Sequence, residues 1–325
     1  MPTPDWIRLT ENGFYCDAGD FFLDPHRPAR RGVISHAHGD HYPRSMGEVW
    51  CTPATLALAR SRYGKHAART AYARPFGTEF SVGEVTVKFF SAGHILGSAQ
   101  ILLTYRHQKV LYTGDFSLRP NPTCEPFAYG PNGVDLLICE STFGEKPHHG
   151  APRAELQRVL EKAGPRPLLI GAYPLGKAQH LHHLLEALAP ERTVFLHHEM
   201  MKFHKIYRAH GMDPGSGEAF RRVIAKRLPH PYAYLVPPRV LTGYDRDFQH
   251  YKVFATGWTA SADRPYLDDA LDLSDHADAT DILAYVAAIQ PRAVWFWHGY
   301  PGPLIAACTE RGIPAIEASI AAPPP

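Results

Sequence analysis

Seven histidine and aspartate side chains have the types and spacing of metal ligands. They are His36, His38, Asp40, His41, His94, Asp115 and His298. The first four form the motif His-x-His-x-Asp-His directly after the apolar segment Gly32–Ser35. Imidazole and carboxylate groups at this density suit Zn²⁺, or Mn²⁺ if more oxygen ligands join. Seven ligands exceed the needs of one four-coordinate ion, so they predict two divalent ions that share a bridging carboxylate.

A site with two such ions is typical of hydrolytic enzymes. Two divalent cations activate a bridging hydroxide and stabilise the charged oxygens of a phosphoryl or acyl transition state. Asp24 lies upstream of the motif. We expect this carboxylate to orient one of the ligand imidazoles through a hydrogen bond instead of binding an ion itself.

The candidate ligands and acids follow predicted strands. A loop that is held by a rigid strand positions its side chains well, and alternating or continuous apolar runs precede each candidate. These strands and the residues after them are Gly32–Ser35 with His36, Val85–Phe90 with His94, Lys109–Thr113 with Asp115, Val134–Cys139 with Glu140, and Ala293–Trp297 with His298.

The length of 325 residues predicts two domains, or one domain with a large insertion. After Gly144, strands and helices alternate over about 110 residues, which is typical of an α/β insert with a parallel sheet. We expect the insert to occupy residues 145–258, between two parts of one domain at 1–144 and 259–325. The helices expected in this half of the chain are 154–163, 176–189, 199–210, 216–228 and 280–289.

Composition indicates a cytoplasmic protein. No apolar run approaches the length of a membrane span, and the first residues lack the basic and apolar regions of a signal peptide. The five cysteines are odd in number and form no Cys-x-x-Cys pair, so we expect reduced thiols.

The formal net charge is only +2, but the basic residues are clustered. Five Lys/Arg and no acid lie between Arg60 and Arg74, and eight Lys/Arg against two acids lie between Met200 and Val240. This pattern favours an anionic partner, although each stretch alone is also typical of a solvated helix face.

The order of these motifs resembles the metallo-β-lactamase fold superfamily. The resemblance implies an α/β fold, an αβ/βα sandwich with a dimetal site at one edge. It also implies a division of the ligands between two ions. The first ion would take His36, His38, His94 and Asp115, and the second Asp40, His41, Asp115 and His298.

Three further motifs resemble those of the β-CASP nucleases within that superfamily. They contain Glu140 in Glu140–Gly144, His276 in Ser274–Asp278, and His298. The resemblance implies that the insert is a second, β-CASP domain that forms a nucleic-acid cleft. It makes Asp40, His276 and Glu140 catalytic, with His276 as the general acid and Glu140 as its partner. Histidine suits this role because its unperturbed pKa lies near neutral pH. A helix cap followed by a surface histidine is the alternative.

Several segments are similar to the bacterial DNA-ligase-associated exonucleases. They are Ala92–Gln100, Ala172–Gln179, Gly257–Trp258 and Leu273–Asp278. The resemblance implies a DNA exonuclease of 5′-to-3′ polarity in DNA repair, with a DNA ligase and a helicase in the same pathway and no membrane partner. Gly176-Lys177 begins a predicted helix, so Lys177 is expected to contact a phosphate, unless this is an ordinary helix start. Ser141, Thr142 and Ser274 are the other predicted substrate contacts.

Two features depart from that group. Residues 259–269 are acidic where the group carries an Arg-rich segment, and Glu140 and His298 are the residue types of the RNA-processing branch. An RNA-processing nuclease of the same family is therefore the first alternative. A hydrolase of thioesters or lactams and a catalytically inactive nucleic-acid-binding scaffold are alternatives from other classes.

Overall fold

A computed structural model describes residues 4–147, 149–220, 231–242, 249–258 and 265–320. The chain forms two compact units, Met1–His148 with His276–Pro325, and His149–Asp275. The second unit extends beyond residue 258, where the sequence placed the end of the insert. Residues 269–272 form a strand that pairs with the sheet of the second unit, which explains the later boundary.

The first unit contains a six-stranded sheet with an antiparallel and a parallel half. The first three strands pair as antiparallel neighbours, and the later strands add in parallel. In order of pairing they are β1 (Ile7–Thr10), β2 (Gly13–Cys16), β3 (Phe21–Leu23), β4 (Arg31–Val33), β5 (Met46–Cys51) and β6 (Ala68–Ala73).

The second sheet of this unit has seven strands. In order of pairing they are β19 (Ala315–Glu317), β18 (Val294–Gly299), β11 (Leu136–Ser141), β10 (Gln108–Tyr112), β9 (Ala99–Tyr105), β8 (Val85–Ser91) and β7 (Glu79–Val82). Both β8 and β10 are antiparallel to β9, and β10, β11 and β18 are parallel to one another. The carboxyl ends of β8, β10, β11 and β18 therefore lie at one edge of the sheet.

The two sheets pack face to face and helices cover their outer faces. Phe21 from the first sheet and Val87 from the second belong to the same buried core. Helix α1 (Pro53–Tyr63) packs on the first sheet, and α5 (Ala279–Ile289) and α6 (Gly302–Glu310) pack on the second. These layers confirm the predicted αβ/βα sandwich. No helix in the described part of the chain is both long and apolar enough to cross a membrane.

The second unit is a parallel α/β domain, as the alternation of strands and helices predicts. Its sheet consists of β14 (Glu218–Ala219), β13 (Thr193–Leu196), β15 (Tyr232–Val236), β12 (Leu168–Gly171), β16 (Tyr251–Thr256) and β17 (Asp269–Asp272), in order of pairing. In the described part of this unit the α-helices are α2 (Pro152–Ala163), α3 (Lys177–Leu188) and α4 (His198–Ala209). All described strand pairs in this sheet are parallel.

One sequence expectation changes in this unit, and the acidic stretch acquires described contacts. The helix expected over 216–228 is wrong at its start because Glu218–Ala219 pair with β13 as a strand. Residues 221–230 lie outside the described residues. In the acidic stretch 259–269, the Asp269 carboxylate lies 2.6 Å from a guanidinium nitrogen of Arg158 and 3.1 Å from the Lys162 ammonium. Residues 259–264 of that stretch are not among those described.

Two buried histidines pack together in the second unit. Nδ1 of His182 lies 3.1 Å from Nε2 of His204, and burial lowers the pKa of each imidazole to about 4. The folded unit thus prefers both rings neutral. A histidine in the unfolded chain titrates near pH 6.5, so the unfolded state takes up protons first as the pH falls.

We therefore expect the second unit to lose stability between about pH 6.5 and pH 4, on the order of 3 kcal/mol for each imidazole. Hydrogen exchange of the β12 and β16 amides reports on this unit specifically. Replacing His204 with glutamine should reduce the pH dependence, whereas His183→Gln, at the residue next to His182 on α3, should leave it unchanged. An equally steep dependence in His204→Gln would contradict this assignment.

Candidate metal centre

Four side chains converge at the shared edge of the first unit. The donor atoms of His36, His38, His94 and Asp115 all lie within 4.8 Å of one another. Nδ1 of His38 is 3.0 Å from Nε2 of His36 and 3.1 Å from Nε2 of His94. Oδ2 of Asp115 is 3.5 Å from Nε2 of His36 and 3.8 Å from Nε2 of His94.

These separations fit one tetrahedral ion. Zinc–nitrogen bonds of about 2.0–2.1 Å in a tetrahedron place neighbouring donor atoms about 3.3 Å apart. The four measured separations, 3.0 to 3.8 Å, fall on both sides of that value. The donor set and its geometry therefore suit a divalent cation.

The remaining ligand candidates lie beside this cluster. Nε2 of His41 is 3.3 Å from Oδ2 of Asp115 and 3.9 Å from Oδ2 of Asp40. Asp115 thus faces two groups of donors, which is the position that a bridging carboxylate requires. The His298 ring lies farther out, with its centroid 6.0 Å from that of His41.

Glycine allows the ligand loops to leave the strand ends. Gly93, just before His94, has a φ of +67°, and a Cβ there would lie 2.5 Å from the carbonyl oxygen of Ser117. Gly114, just before Asp115, has a φ of +54°, and its Cβ would lie 2.6 Å from the Cβ of Ser35. Any other residue would be strained at either position.

A buried carboxylate orients two of the imidazoles. Nδ1 of His41 donates to Oδ2 of Asp24 over 2.8 Å. Ser35 donates both its amide and its hydroxyl to Asp24, and its Oγ lies 2.9 Å from Nδ1 of His36. Both rings therefore direct Nε2 towards the cluster. Tyr112 also donates to Asp24. The sequence indicated Asp24 but not Ser35 or Tyr112, because a lone serine or tyrosine at a strand end carries no spacing signal.

Burial and neighbouring charges shift the pKa values of the side chains in this cluster. Burial lowers the pKa of His36 well below its usual value, which leaves its ring neutral. Burial also opposes charge on His41, but Asp115 and Asp24 outweigh that effect and hold the His41 pKa well above its usual value. The Asp115 pKa lies well below its usual value because His41 and His276 outweigh burial. The buried carboxylates thus require nearby positive charge, which a divalent cation supplies.

Replacing Asp24 with asparagine should weaken metal binding about 10- to 100-fold, because the acceptor that orients the ligand imidazoles is lost. Metal retention during dialysis against a graded chelator, measured by mass spectrometry, tests this expectation. Tyr112→Phe is the matched control, since it removes another hydrogen bond from the same carboxylate and leaves both imidazole contacts intact. Equal metal retention in the two variants would be inconsistent with an orienting role for Asp24.

A histidine–glutamate pair lies beside the cluster. Nδ1 of His276 donates to Oε2 of Glu140 over 2.8 Å, and the His276 ring centroid is 4.7 Å from that of His94. The same Glu140 accepts the Thr142 hydroxyl at 2.7 Å and the Phe116 amide at 2.6 Å. Burial raises the pKa of Glu140 although His276 acts in the opposite direction. These contacts fix the ring through Nδ1 and leave Nε2 as its other nitrogen.

Backbone contacts hold the segment that carries His276. The Ala277 amide donates to the Phe116 carbonyl at 2.7 Å. The Asp278 side chain caps α5 and also lies 2.6 Å from a guanidinium nitrogen of Arg119. The helix cap is therefore Asp278, and the side chain of His276 is only 19% exposed. Sequence reasoning did not identify Arg119.

Four residues were predicted to contact substrate, and the structure gives each another environment. The buried Ser141 hydroxyl donates to the His298 carbonyl, and Thr142 donates to Glu140. In the second unit, the buried Lys177 ammonium donates to the Leu273 carbonyl at 2.9 Å and to Asp275 at 2.7 Å. Ser274, which lies between Leu273 and Asp275 in the sequence, is also buried. A buried cation requires an ionic partner, and Asp275 is that partner for Lys177. Substrate contacts by Ser141, Thr142, Lys177 and Ser274 stay predictions.

Comparison with family models found no match. A curated protein from Opitutus terrae, described as a probable DNA ligase, is 33% identical over 95% of this chain and 31% of its own length. The 5′ exonuclease Apollo of Gallus gallus is 26% identical over 82% of this chain and 58% of its own length. Shorter matches, over 53% of this chain or less, include an RNase J-like protein and an endoribonuclease.

A solved structure of a protein of unknown function from Enterococcus faecalis matches with a TM-score of 0.59 at 16% identity, over 82% of this chain and 74% of that one. It shows a shared fold. This chain spans only 31% and 58% of the lengths of the ligase and Apollo relatives. The relatives include named exonucleases and endoribonucleases of the metallo-β-lactamase fold. This chain is therefore homologous to metallo-β-lactamase-fold nucleases of the β-CASP family.

Proposed function

We propose that this protein is a metal-dependent phosphodiesterase that hydrolyses nucleic acid, and specifically a DNA exonuclease of 5′-to-3′ polarity in DNA repair. The observation that carries the proposal is the hydrogen-bonded pair of His276 and Glu140 beside the cluster of metal-binding side chains. An acid next to a metal site is what cleavage of a phosphodiester requires, because the departing oxygen must gain a proton.

The donor set supports two divalent ions, Zn²⁺ or Mn²⁺. His36, His38, His94 and Asp115 would hold one, and Asp40, His41, His298 and the shared Asp115 the other. When bound, such ions supply Lewis acidity that activates water and offsets the charge on the phosphate oxygens. The protein contributes the fixed orientation of the ligand rings through Asp24 and Ser35.

His276 is proposed to protonate the leaving sugar oxygen. Its Nδ1–H is held by Glu140 at 2.8 Å, so Nε2 is the atom that delivers the proton. Glu140 in turn is fixed by the Phe116 amide and the Thr142 hydroxyl. The negative charge of Glu140 favours the protonated form of the ring, which prepares it to act as an acid.

DNA is favoured as the substrate because the match to a named 5′ exonuclease extends over 82% of this chain. The match to a probable DNA ligase supports a ligase in the same pathway. A helicase in that pathway is proposed from the resemblance to the ligase-associated exonucleases alone. RNA is the second candidate, since shorter matches are named as ribonucleases and Glu140 and His298 are the residue types of the RNA-processing branch.

The deciding experiment compares matched DNA and RNA strands, single- and double-stranded, with a label at either end. The protein is supplied with Zn²⁺ or Mn²⁺. We expect DNA to be shortened progressively from its 5′ end. Faster loss of RNA would favour the second candidate. Hydrolysis of none of the strands with either metal would refute the proposed activity.

A further inference from the structure

We propose that an aromatic pocket in the second unit binds one unstacked nucleobase of a single-stranded substrate. This inference rests on the proposed nuclease function and specifies the form of nucleic acid that the protein holds. The base pocket, as we call it, has a volume of about 380 Å³. Its lining includes the side chains of Tyr173, Arg239, Phe254, Trp258 and Tyr266.

The pocket lies at the carboxyl edge of the parallel sheet. Gly171, the last residue of β12, is in register with Val236 of β15 and Phe254 of β16. Tyr173 follows β12 by two residues, and Trp258 follows β16 by two residues. Open parallel sheets bind their ligands in crevices beyond the carboxyl ends of the strands. The base pocket is therefore in the place where this architecture favours a ligand.

The side chains offer flat aromatic faces to the surface. Tyr173 is 55% exposed and Trp258 is 45% exposed, although large aromatic residues are usually well buried in a folded domain. The Trp258 amide donates to the hydroxyl oxygen of Thr256 at 3.0 Å, which positions the indole-bearing residue at the strand end. Exposed aromatic faces bind nucleobases by stacking, whatever the base sequence.

Polar groups at the pocket distinguish it from a purely apolar site. The hydroxyl-bearing Thr242 and Thr256 line it together with the guanidinium of Arg239. Arg239 also pairs with Glu199, which holds its planar group in place. Hydroxyls can bond the polar edge of a base, and a guanidinium can contact its π-face or a phosphate.

Size and charge identify the occupant. A volume of about 380 Å³ is near the lower end for small-ligand sites, which suits a nucleobase with its sugar and excludes a protein helix. Among the described residues that line the pocket, Arg239 is basic and none is acidic, so an anionic chain is the complementary partner. A base in a duplex is stacked and paired and must be extruded before such a pocket can take it. The strand that fills the pocket is therefore single.

The test measures binding without cleavage. With EDTA present, fluorescence anisotropy gives the affinity of the full chain for a labelled single-stranded oligonucleotide, its duplex and an abasic strand of equal length. We expect Trp258→Leu and Tyr173→Leu each to weaken single-strand binding about tenfold, in line with the stacking of one base. Trp258→Phe, which keeps an aromatic face, should lose much less. Tyr129→Leu, at an exposed tyrosine of the first unit, should lose nothing.

A second readout covers variants that fail to fold. Photocrosslinking of the wild-type protein to a 5-iodouracil strand, followed by peptide mass spectrometry, should label Tyr173 or Trp258. Equal affinity of the wild type for the abasic and normal strands, or crosslinks only elsewhere, would overturn the base pocket. Absence of single-strand binding by the wild type would also overturn the base pocket. Cleavage is assayed separately with metal. The base-pocket proposal can therefore be refuted while the proposed nuclease activity is supported, and the nuclease activity can be refuted while the base pocket is supported.

Discussion

Replacing Asp115 with asparagine should reduce strand cleavage at least about 10³-fold. Oδ2 of Asp115 lies 3.5 Å from Nε2 of His36 and 3.3 Å from Nε2 of His41, so one oxygen faces both groups of metal ligands. An amide has no negative charge with which to bridge two cations. Metal ions contribute several kcal/mol to transition-state stabilisation, and each 1.36 kcal/mol corresponds to a tenfold change in rate.

Two measurements check the Asp115 prediction. Mass spectrometry of the dialysed protein should show less bound metal than in the wild type, and single-turnover assays should show the lower rate. Asp135→Asn is the matched control, because Asp135 precedes β11, and its carboxylate contacts Lys109 and Arg292. That variant should retain the wild-type metal content and rate. Full metal content and full activity in Asp115→Asn would rule out a bridging role.

Replacing His276 with alanine should lower the rate of cleavage of an ordinary phosphodiester by about 10²- to 10⁴-fold, which is the usual contribution of a general acid. The metal content should not change, since the ring contacts Glu140 and not an ion in our assignment. The same variant should lose far less activity when the substrate is a p-nitrophenyl ester of a nucleotide. Its leaving group departs as a stable anion and does not need the proton.

The contrast between the two substrates separates chemistry from structure. A variant that had merely distorted the site would lose both reactions to the same extent. Glu140→Gln keeps the size of its side chain and should behave as a weaker version of His276→Ala, with the same preference for the activated ester. Thr309→Ala, at an exposed residue whose hydroxyl bonds within α6, serves as a control with no expected effect. Equal losses on both substrates in His276→Ala would exclude the acid assignment.

The sequence allowed most of the candidate metal ligands that the structure brings together to be identified. His36, His38, Asp40 and His41 lie within six residues of one another, and the strand before them is apolar. His94 and Asp115 each follow a predicted strand, and the structure places these strand ends at one edge of the first unit. Local spacing and strand periodicity carry enough information for such ligands, because β8 and β10 run in the same direction on either side of β9 and therefore end at the same edge.

Contacts between residues that are far apart in the sequence could not be predicted in this way. Tyr112 and Asp24 are 88 residues apart in the chain and come from different sheets, yet they share a hydrogen bond. Lys177 begins a helix, which suggested a phosphate contact, but its partner Asp275 is 98 residues away. Whether a cation at a helix start faces solvent or an internal carboxylate depends on the tertiary fold, which local pattern does not encode.

The position of His276 in the chain bears on how new specificities can arise. The second unit ends at Asp275, and His276 is the first residue after the chain returns to the first unit. Ala277 is hydrogen-bonded to Phe116, and Phe116 is bonded to the same Glu140 that holds His276. The proposed proton donor, His276, and the candidate metal ligands thus lie in the same unit. If residues 149–275 recognise the substrate as we propose, changes within them can alter what the protein recognises and leave the contacts among Phe116, Glu140 and His276 as they are.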